Sequence, residues 1–400
     1  MRKASVNMGI SIVIPTYNGG RIFSEGLEMI GRQAYAGPVQ LIVVDSGSTD
    51  GTIEAAERAG ALVRRIDKAA FHHARTRNMA VPLAAFDRVI FMVQDAVPCS
   101  DAWLSGMARG LEEDGVAAAF AAHIPHVDAT PYARFETEAI AAARLEASAL
   151  EGVQSLESFQ KMTYDRAYRG VGLDNVCAIY RKELLEKTPF PDVDFAEDLA
   201  WAVKIALLGH RVLYLPHIQV RHSHNRSPDY AFRRQIVNSY WVAGIMGRVR
   251  EDLSYLSFKD LLSVAGSVRA FLFGRIKEQR HGLKGVEGEG LFVDRLLRRY
   301  PLICRVRMVG VYSVFSRYLG TPSSGAKRIA QQATADIAYQ SELIENGYPP
   351  KDGNEWFQTL EQVAANILGR IYGEAYAGCM FKGPVSRQLE EFMRPFLSGV

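Results

Sequence analysis

Apolar and polar positions follow two different periods along the first 225 residues. Short apolar, β-branched runs at 10–14, 41–44, 62–66 and 89–93 are each bounded by polar or turn residues and predict strands, the first stopped by Pro15. Between them, 21–33, 50–59 and 74–85 carry apolar residues at helical spacing, with Ile22, Leu27 and Ile30 facing inward in the first. Strands separated by helices of this length predict βαβ units and a mostly parallel sheet. At Arg226-Ser-Pro228 the pattern changes. From there helices are predicted at about 229–251, 257–280, 290–318, 325–346 and 354–380, with a Gly-rich loop at 281–290 and a break at Pro349-Pro350. The expected organisation is an α/β domain at 1–226 followed by an all-helical domain at 227–400.

Composition narrows the class. The chain has 400 residues, 48% hydrophobic and 23% charged, which excludes disorder and fibrous repeats. Its four cysteines form no CxxC pair, which points away from a disulfide framework or structural zinc and toward a reducing cytoplasm. The apolar run after Met1-Arg2-Lys3 is too short for a signal-peptide core, and no stretch approaches the ~18 apolar residues of a membrane span.

The net charge of +3 is unevenly placed: residues 226–330 hold 19 Lys/Arg against 8 Asp/Glu, while the segments on either side are each net −4. The helices of this basic block interleave arginines with Phe258, Leu261, Leu262, Val268, Phe271, Leu272 and Phe273, and with Leu296, Leu297, Tyr300, Leu302, Ile303 and Val306. Two readings stand: helices lying in an anionic membrane interface, or a bundle or homo-oligomer interface with a basic outer face. No nucleic-acid recognition motif accompanies the charge.

Ligands of open α/β sheets bind at the carboxyl ends of strands, and the polar clusters of this chain fall there: Thr16, Tyr17 and Asn18; Asp45 to Asp50; Gln94 and Asp95. The segment Asp45-Ser-Gly-Ser-Thr-Asp-Gly51 lacks both the Lys of a P-loop and the glycine spacing of a dinucleotide fingerprint. Asp45 can accept hydrogen bonds from a nucleobase or ribose, or can simply shape a turn and cap a helix. Arg75 and Arg77, beside Asn78, can neutralise phosphate oxygens or form a solvated basic face; His72 and His73 are loop residues near a ligand. Asp95 can ligate Mg²⁺ or Mn²⁺ only with help, which His222 and His224 can supply from one face of a strand end. Glu197-Asp198 opens a helix, where carboxylates suit the dipole and can also act as general base.

Together these segments resemble the family 2 glycosyltransferases of GT-A fold. The resemblance is carried by Ser11-Ile-Val-Ile-Pro-Thr-Tyr-Asn18, Leu41-Ile-Val-Val-Asp-Ser-Gly-Ser-Thr-Asp-Gly-Thr52, Arg77-Asn78, Phe91-Met-Val-Gln-Asp-Ala96 and Phe195-Ala-Glu-Asp-Leu199 with Gly209 and Pro216. Within the family, Phe71-His-His-Ala-Arg-Thr-Arg-Asn78, Gln94-Asp-Ala-Val-Pro98 and His222-Ser-His-Asn-Arg-Ser227 resemble the bacterial rhamnosyltransferases.

The resemblance implies that Pro15–Asn18, Asp45 with Ser46 and Gly47, Asp50 and Gln94 hold the nucleotide, and that Arg77 with Asn78 faces the diphosphate. It implies that Asp95 and His222, or His224, hold Mg²⁺ or Mn²⁺, that Asp174-Asn175 shape the sugar and acceptor pocket, and that Asp198, with Glu197 as its neighbour, is the base. Its ionised state is expected to be favoured by the helix dipole, with a low pKa. The family's Asp-x-Asp falls on Val93-Gln-Asp95, with the first Asp missing. The implied activity is inverting transfer of a sugar, L-rhamnose from dTDP-L-rhamnose, to a surface polysaccharide or lipid-linked glycan, in the cytoplasm or peripherally on the inner face of the cell membrane. Two alternatives are an inactive glycan- or nucleotide-binding module, suggested by Val93, and a sugar-phosphate nucleotidyltransferase, which would need a Gly-rich basic N-terminal loop.

Overall fold

The computed structural model describes residues 9–148, 156–161, 171–279, 292–298, 322–383 and 385–397. The chain divides into two compact units, Met1–Asp128 with Glu136–Ser223, and Ala129–Phe135 with His224–Val400. The short segment 129–135 thus clusters with the helical unit.

The first unit is built on one eight-stranded sheet. Its strands are β1 (Ile10–Thr16), β2 (Val39–Asp45), β3 (Leu62–Arg65), β4 (Arg88–Met92), β5 (Val97–Pro98), β6 (Val116–Ile124), β7 (Cys177–Arg181) and β8 (Arg211–Arg221), in the order β3-β2-β1-β4-β7-β6-β8-β5. The pairs β3–β2, β2–β1, β1–β4 and β6–β8 are parallel, while β7 runs antiparallel to both β4 and β6, and β5 antiparallel to β8. Crossover helices α1 (Gly20–Gly31), α2 (Thr52–Arg58) and α3 (His73–Ala80) join the first four strands. The mostly parallel sheet expected from the sequence is present.

Two boundaries differ from the expectation for physical reasons. β1 runs through Pro15 to Thr16, because its pairing with β4 ends at Val13 and Pro15 pairs on the β2 side alone. α3 ends at Ala80, and residues 81–83 form a 3-10 turn, since Pro82 cannot continue an α-helix. β3, on the sheet edge, leaves Leu62 49% exposed.

Sheet order decides where chemistry can gather. The parallel register pairs Thr16 with Asp45 at the carboxyl ends of β1 and β2, and β4 delivers Gln94 and Asp95 to the same edge. Because β7 is antiparallel, its start meets the end of β4, with Met92 opposite Cys177, and this carries Asp174 and Asn175 there too. β6 reverses again, and β8 runs beside it with His123 opposite Val220, so His123 and His222 reach that edge as well. Further helices of this unit include α4 (Trp103–Arg109), α6 (Leu156–Lys161), α7 (Lys182–Lys187) and α8 (Glu197–Leu207), while α5 (Pro131–Ser148) begins in the segment that clusters with the second unit. One apolar core, including Ile12, Ile14, Phe23, Trp103 and Ile179, packs on the sheet.

The second unit is helical: α9 (Pro228–Met246), α10 (Phe258–Glu278), α11 (Phe292–Arg298), α12 (Ser324–Gly347), α13 (Gly353–Lys382) and α14 (Arg387–Leu397). α9 stops at Gly247, whose φ of +63° closes the helix five residues earlier than the periodicity predicts by letting its N–H return to Gly244. Ser257 caps α10 through a capping box with Asp260. Gly369 and Gly373 of α13 lie against the backbone of α9. A Cβ at either would meet a carbonyl oxygen, at 2.5 Å (Phe232) and 2.7 Å (Ile236).

Phe258, Leu261, Leu262, Val268, Leu272, Leu296 and Leu297 of the basic block are buried in this unit's own core, while Phe271 and Phe273 are half-buried. These side chains are spent on the bundle core. Tyr300, Leu302, Ile303, Val306 and the 281–290 loop lie outside the described residues, and no described helix is long and apolar enough to cross a membrane.

Candidate active site

The strand-end loops of β1 and β2 are stitched to each other. Asn18, at φ +49°, donates its backbone N–H to Ser48 Oγ (2.8 Å) and accepts from Thr49 N–H at Oδ1 (2.9 Å). Gly19 N–H donates to Thr52 Oγ1 (2.8 Å), and Gly20 N–H to Asp50 (3.0 Å). Ser46 donates to the Thr16 carbonyl through both its N–H and its hydroxyl. Asp45, fully buried, accepts from Thr16 Oγ1 (2.9 Å), from Gly47 N–H and Ser48 N–H (2.9 Å each) and from the Ser48 hydroxyl. Burial pushes its carboxyl up, but these donors, Ser48 foremost, outweigh burial and hold it below the ordinary range. Asp50 is likewise held low, chiefly by the Thr52 hydroxyl, and it also accepts from the Thr52 N–H at the start of α2.

Gln94 joins the β4 end to this frame. Its side chain pairs twice with the Tyr17 backbone, accepting from the N–H (2.8 Å) and donating to the carbonyl (3.1 Å). Tyr17 is left 40% exposed, with Lys68 Nζ 2.9 Å from its hydroxyl and 4.1 Å from the ring centre. Lys68 is a residue the sequence reading missed; a lone lysine in a polar loop carries no signal of its own.

Asp95 and His222 stand 3.7 Å apart, and His126 meets the Asp95 carbonyl at 3.0 Å. Asp95, His222 and His224 each offer a ligand atom, and the three atoms lie within 4.8 Å of one another. His224 follows His222 by two residues, so the chain itself ties it there. β8 ends at Arg221, so the two histidines lie just past the strand rather than on its last turn of pleat. One carboxylate and two imidazoles fit a divalent cation, and two nitrogen donors suit Mn²⁺ better than the oxygen-seeking Mg²⁺.

A buried charge cluster occupies the start of β7 and of α8. Arg77 Nη1 lies 2.5 Å from Glu197 Oε1, and both residues are buried, 3% and 5% exposed. Where the resemblance sets Arg77 beside the diphosphate, the structure shows its Nη1 in this internal ion pair. Asn78 is also structural, bonding both ways to the Phe190 backbone, and Arg75 forms a two-point pair with Asp192. Asn175 links the cluster: Nδ2 donates to Glu197 (3.2 Å), Oδ1 accepts from Tyr180 (2.6 Å), and its N–H donates to Asp198 Oδ2 (2.9 Å). Asp174 accepts from Arg144 and the Val176 N–H and lies 3.2 Å from His123 Nε2. Although buried, it is held well below the usual carboxylate range, Arg144 being the largest opposing influence.

Asp198 behaves differently from expectation. Burial, then the negative charges of Glu197 and Asp174, push its carboxyl up to about 7, against the Asn175 N–H and Arg77. The helix-dipole argument for a low pKa fails because desolvation and like charge outweigh it. Glu197 is held low: burial works against ionisation, but Arg77 prevails. His123, Arg144 and Tyr180 were missed by the sequence reading. His123 was findable, as the sole ring nitrogen in the apolar run of β6, Val116–Ile124.

Residues 11–188 match the family Glycosyl transferase family 2. Among characterised proteins, the chain is 32% identical over 231 residues to the O-antigen chain rhamnosyltransferase RfbN of Salmonella typhimurium, spanning 57% of this chain and 70% of that one. It is 30% identical over 228 residues to the O-antigen chain rhamnosyltransferase WbaN of Salmonella anatum, spanning 56% and 69%. Among solved structures, a mannosyltransferase from Pyrobaculum calidifontis aligns over 91% of this chain and 86% of its own, with a TM-score of 0.47 and 19% identity. With the strand-end loops, the mixed sheet and the matched relatives in hand, the chain belongs to the family 2 glycosyltransferases and has the GT-A fold.

Proposed function

We propose that this glycosyltransferase moves L-rhamnose from dTDP-L-rhamnose, with inversion, to a hydroxyl of a growing bacterial surface polysaccharide or lipid-linked glycan. The two O-antigen relatives support the sugar and the acceptor class. The observation that carries the chemistry is Asp198, a half-buried carboxyl at the sheet's ligand edge, pushed up to about 7 by desolvation and by the charges of Glu197 and Asp174. An ordinary carboxylate is a poor acceptor for a hydroxyl proton; one poised near neutrality is matched to the task.

In this reading Pro15–Asn18, Asp45–Gly47, Asp50 and Gln94 form the frame on which the nucleotide rests, and Asp174 and Asn175 border the sugar and acceptor. Asp95, His222 and His224 would hold Mn²⁺ or Mg²⁺, which supplies positive charge to the departing diphosphate when bound. Asp198 takes the proton as the acceptor oxygen bonds to the anomeric carbon, and the nucleoside diphosphate leaves from the opposite face. One displacement with one base inverts the centre. A lipid-linked acceptor would bring the chain to the inner face of the membrane as a peripheral protein. The contact would draw on the basic charge of residues 226–330.

The test is a donor panel. dTDP-rhamnose should raise the melting temperature more than UDP-glucose or GDP-mannose, because a ligand that binds only the folded state stabilises it, and the linkage formed should have the opposite anomeric configuration to the donor. A clear preference for a UDP- or GDP-sugar removes the rhamnose assignment, and retained configuration removes the single-displacement mechanism.

A further inference from the structure

Arg77 and Glu197 are bonded to each other where the sequence suggests two separate employments, one on phosphate and one beside the base. The Arg77 side chain is buried, its Nη1 is held in a 2.5 Å ion pair and its Nε is shut off from solvent. Glu197 accepts from Asn175 Nδ2 at 3.2 Å, and the backbone N–H of that same Asn175 holds Asp198 Oδ2 at 2.9 Å. Just before the pair, Ala196 sits at φ +59°, the left-handed region, which an alanine keeps only where its surroundings over-determine it. What over-determines it is visible: Glu197 is tied to α3 and Asp198 to the 174–175 loop. Successive residues at a helix start diverge by about 100°, so these ties pull in different directions and fix the rotation of the first turn.

We propose that Arg77 and Glu197 are a buried positioning pair that aims the Asp198 carboxylate and sets the charge it feels, and that neither touches the donor. This rests on the reading of Asp198 as the base. The groups facing Asp198 are Glu197 on its own helix, Asp174 and the Asn175 N–H from the loop before β7, Arg77 from α3 and the Tyr180 hydroxyl from β7. Arg144 and His123 stand behind Asp174. Arg77 and Glu197 act on Asp198 in opposite senses, Glu197 the more strongly, so removing either leaves a charge of known sign uncompensated beside it.

The test is the pH profile of kcat with donor affinity measured in parallel. Glu197→Gln leaves Arg77 uncompensated and should move the acid limb to lower pH. Arg77→Met leaves Glu197 uncompensated and should move it to higher pH. The double variant, a neutral pair of similar volume, should bring the limb back toward the wild-type position. Donor dissociation constants, read by calorimetry with dTDP-rhamnose or dTDP, should stay within about twofold throughout, since the pair contributes nothing to ground-state donor binding. A donor affinity weakened ~10-fold or more by Arg77→Met, or an acid limb unmoved in Glu197→Gln, overturns the proposal. If Arg77→Met does not fold, Glu197→Gln and the double variant read the same two quantities. Asp198→Asn separates the two claims: full activity there ends the reading of Asp198 as base, whereas an inactive Asp198→Asn with an unmoved limb in Glu197→Gln ends only the pairing proposal.

Discussion

Asp45, fully buried, and Asp198, half-buried, lie at the same edge of one sheet and have opposite protonation behaviour. Asp45 accepts four hydrogen bonds, two from hydroxyls and two from backbone N–H groups, and stays ionised below the ordinary range. Asp198 accepts from two backbone N–H groups, those of Asn175 and Leu199, and faces the negative charges of Glu197 and Asp174; its carboxyl rises to about 7. Burial pushes both carboxyls up, and what opposes it differs. The number of donors and the sign of the neighbours decide whether a buried carboxyl becomes a fixed anion that shapes a loop or a group able to take up a proton. The loop frame gains rigidity from its saturated bonds; the α8 start gains reactivity from its unsaturated ones.

The sharpest way to break this contrast is Asp198→Asn. It keeps the shape and removes the proton acceptor, so turnover should fall by ~10²–10⁴-fold with donor affinity nearly intact. In the wild type, kcat should rise with pH through about 7, as Asp198 ionises. Stability carries the reverse sign. A carboxyl whose native pKa lies above its unfolded value binds more protons when folded, so it costs stability as pH rises from about 4 to about 7. Asp198→Asn should therefore raise the melting temperature, and by more at pH 8 than at pH 4. A variant that is both active and no more stable at pH 8 would mean that Asp198 is an ordinary helix-start carboxylate.

Asp95 belongs to neither class, since it stands beside His222 and His224 rather than among donors. Asp95→Ala should weaken Mn²⁺ binding by at least ~10²-fold, more than loss of a residue that merely orients a ligand. Chelation by EDTA should abolish transfer, restored by Mn²⁺ more fully than by Mg²⁺. Full turnover in EDTA would place the leaving-group charge on the protein's own cations.

Much of the fold is legible in the sequence because the apolar runs of β1, β2 and β4 and the helical spacing of α10, α12 and α13 follow from burial alone. The ends are less so: Gly247 and Pro82 override periodicity through backbone geometry. The residues of the site stand at strand ends, where the sequence points to them, but their employment does not follow from position. Arg77 reads as a phosphate ligand until Glu197, 120 positions away, is seen to claim it. Asp198 reads as an ionised helix-start residue until Asp174 is brought beside it by the antiparallel turn into β7. The charge of Glu197 is local and readable in the sequence, but desolvation and the approach of Asp174 are properties of the assembled sheet.

The loop frame makes its own prediction. Gln94→Leu removes both bonds to the Tyr17 backbone while keeping the apolar stem. At about 1 kcal/mol for a partly exposed pair, the frame should loosen and donor affinity fall by roughly 5–10-fold. The acid limb of kcat should stay in place, since Asp198 keeps its neighbours. A moved limb with unchanged donor affinity would mean that the frame and the buried cluster are not separable.

Ala196→Gly gives the smallest expected effect and tests the origin of the contrast. At φ +59° an L-residue carries roughly 1–2 kcal/mol of strain that glycine does not. Glycine also adds about 0.4–1 kcal/mol of unfolded-state freedom. The net should be a gain of up to about 1 kcal/mol, a rise in melting temperature of at most ~2–4 °C for a unit of this size. The first turn of α8 would then be held by the Arg77–Glu197 and Asn175–Asp198 contacts with less strain working against them. If those contacts position the base, kcat should change little, because the strain is their consequence rather than its cause. If the strained turn itself aims Asp198, releasing it should lower kcat while raising stability, and the expectation of unchanged kcat would be wrong.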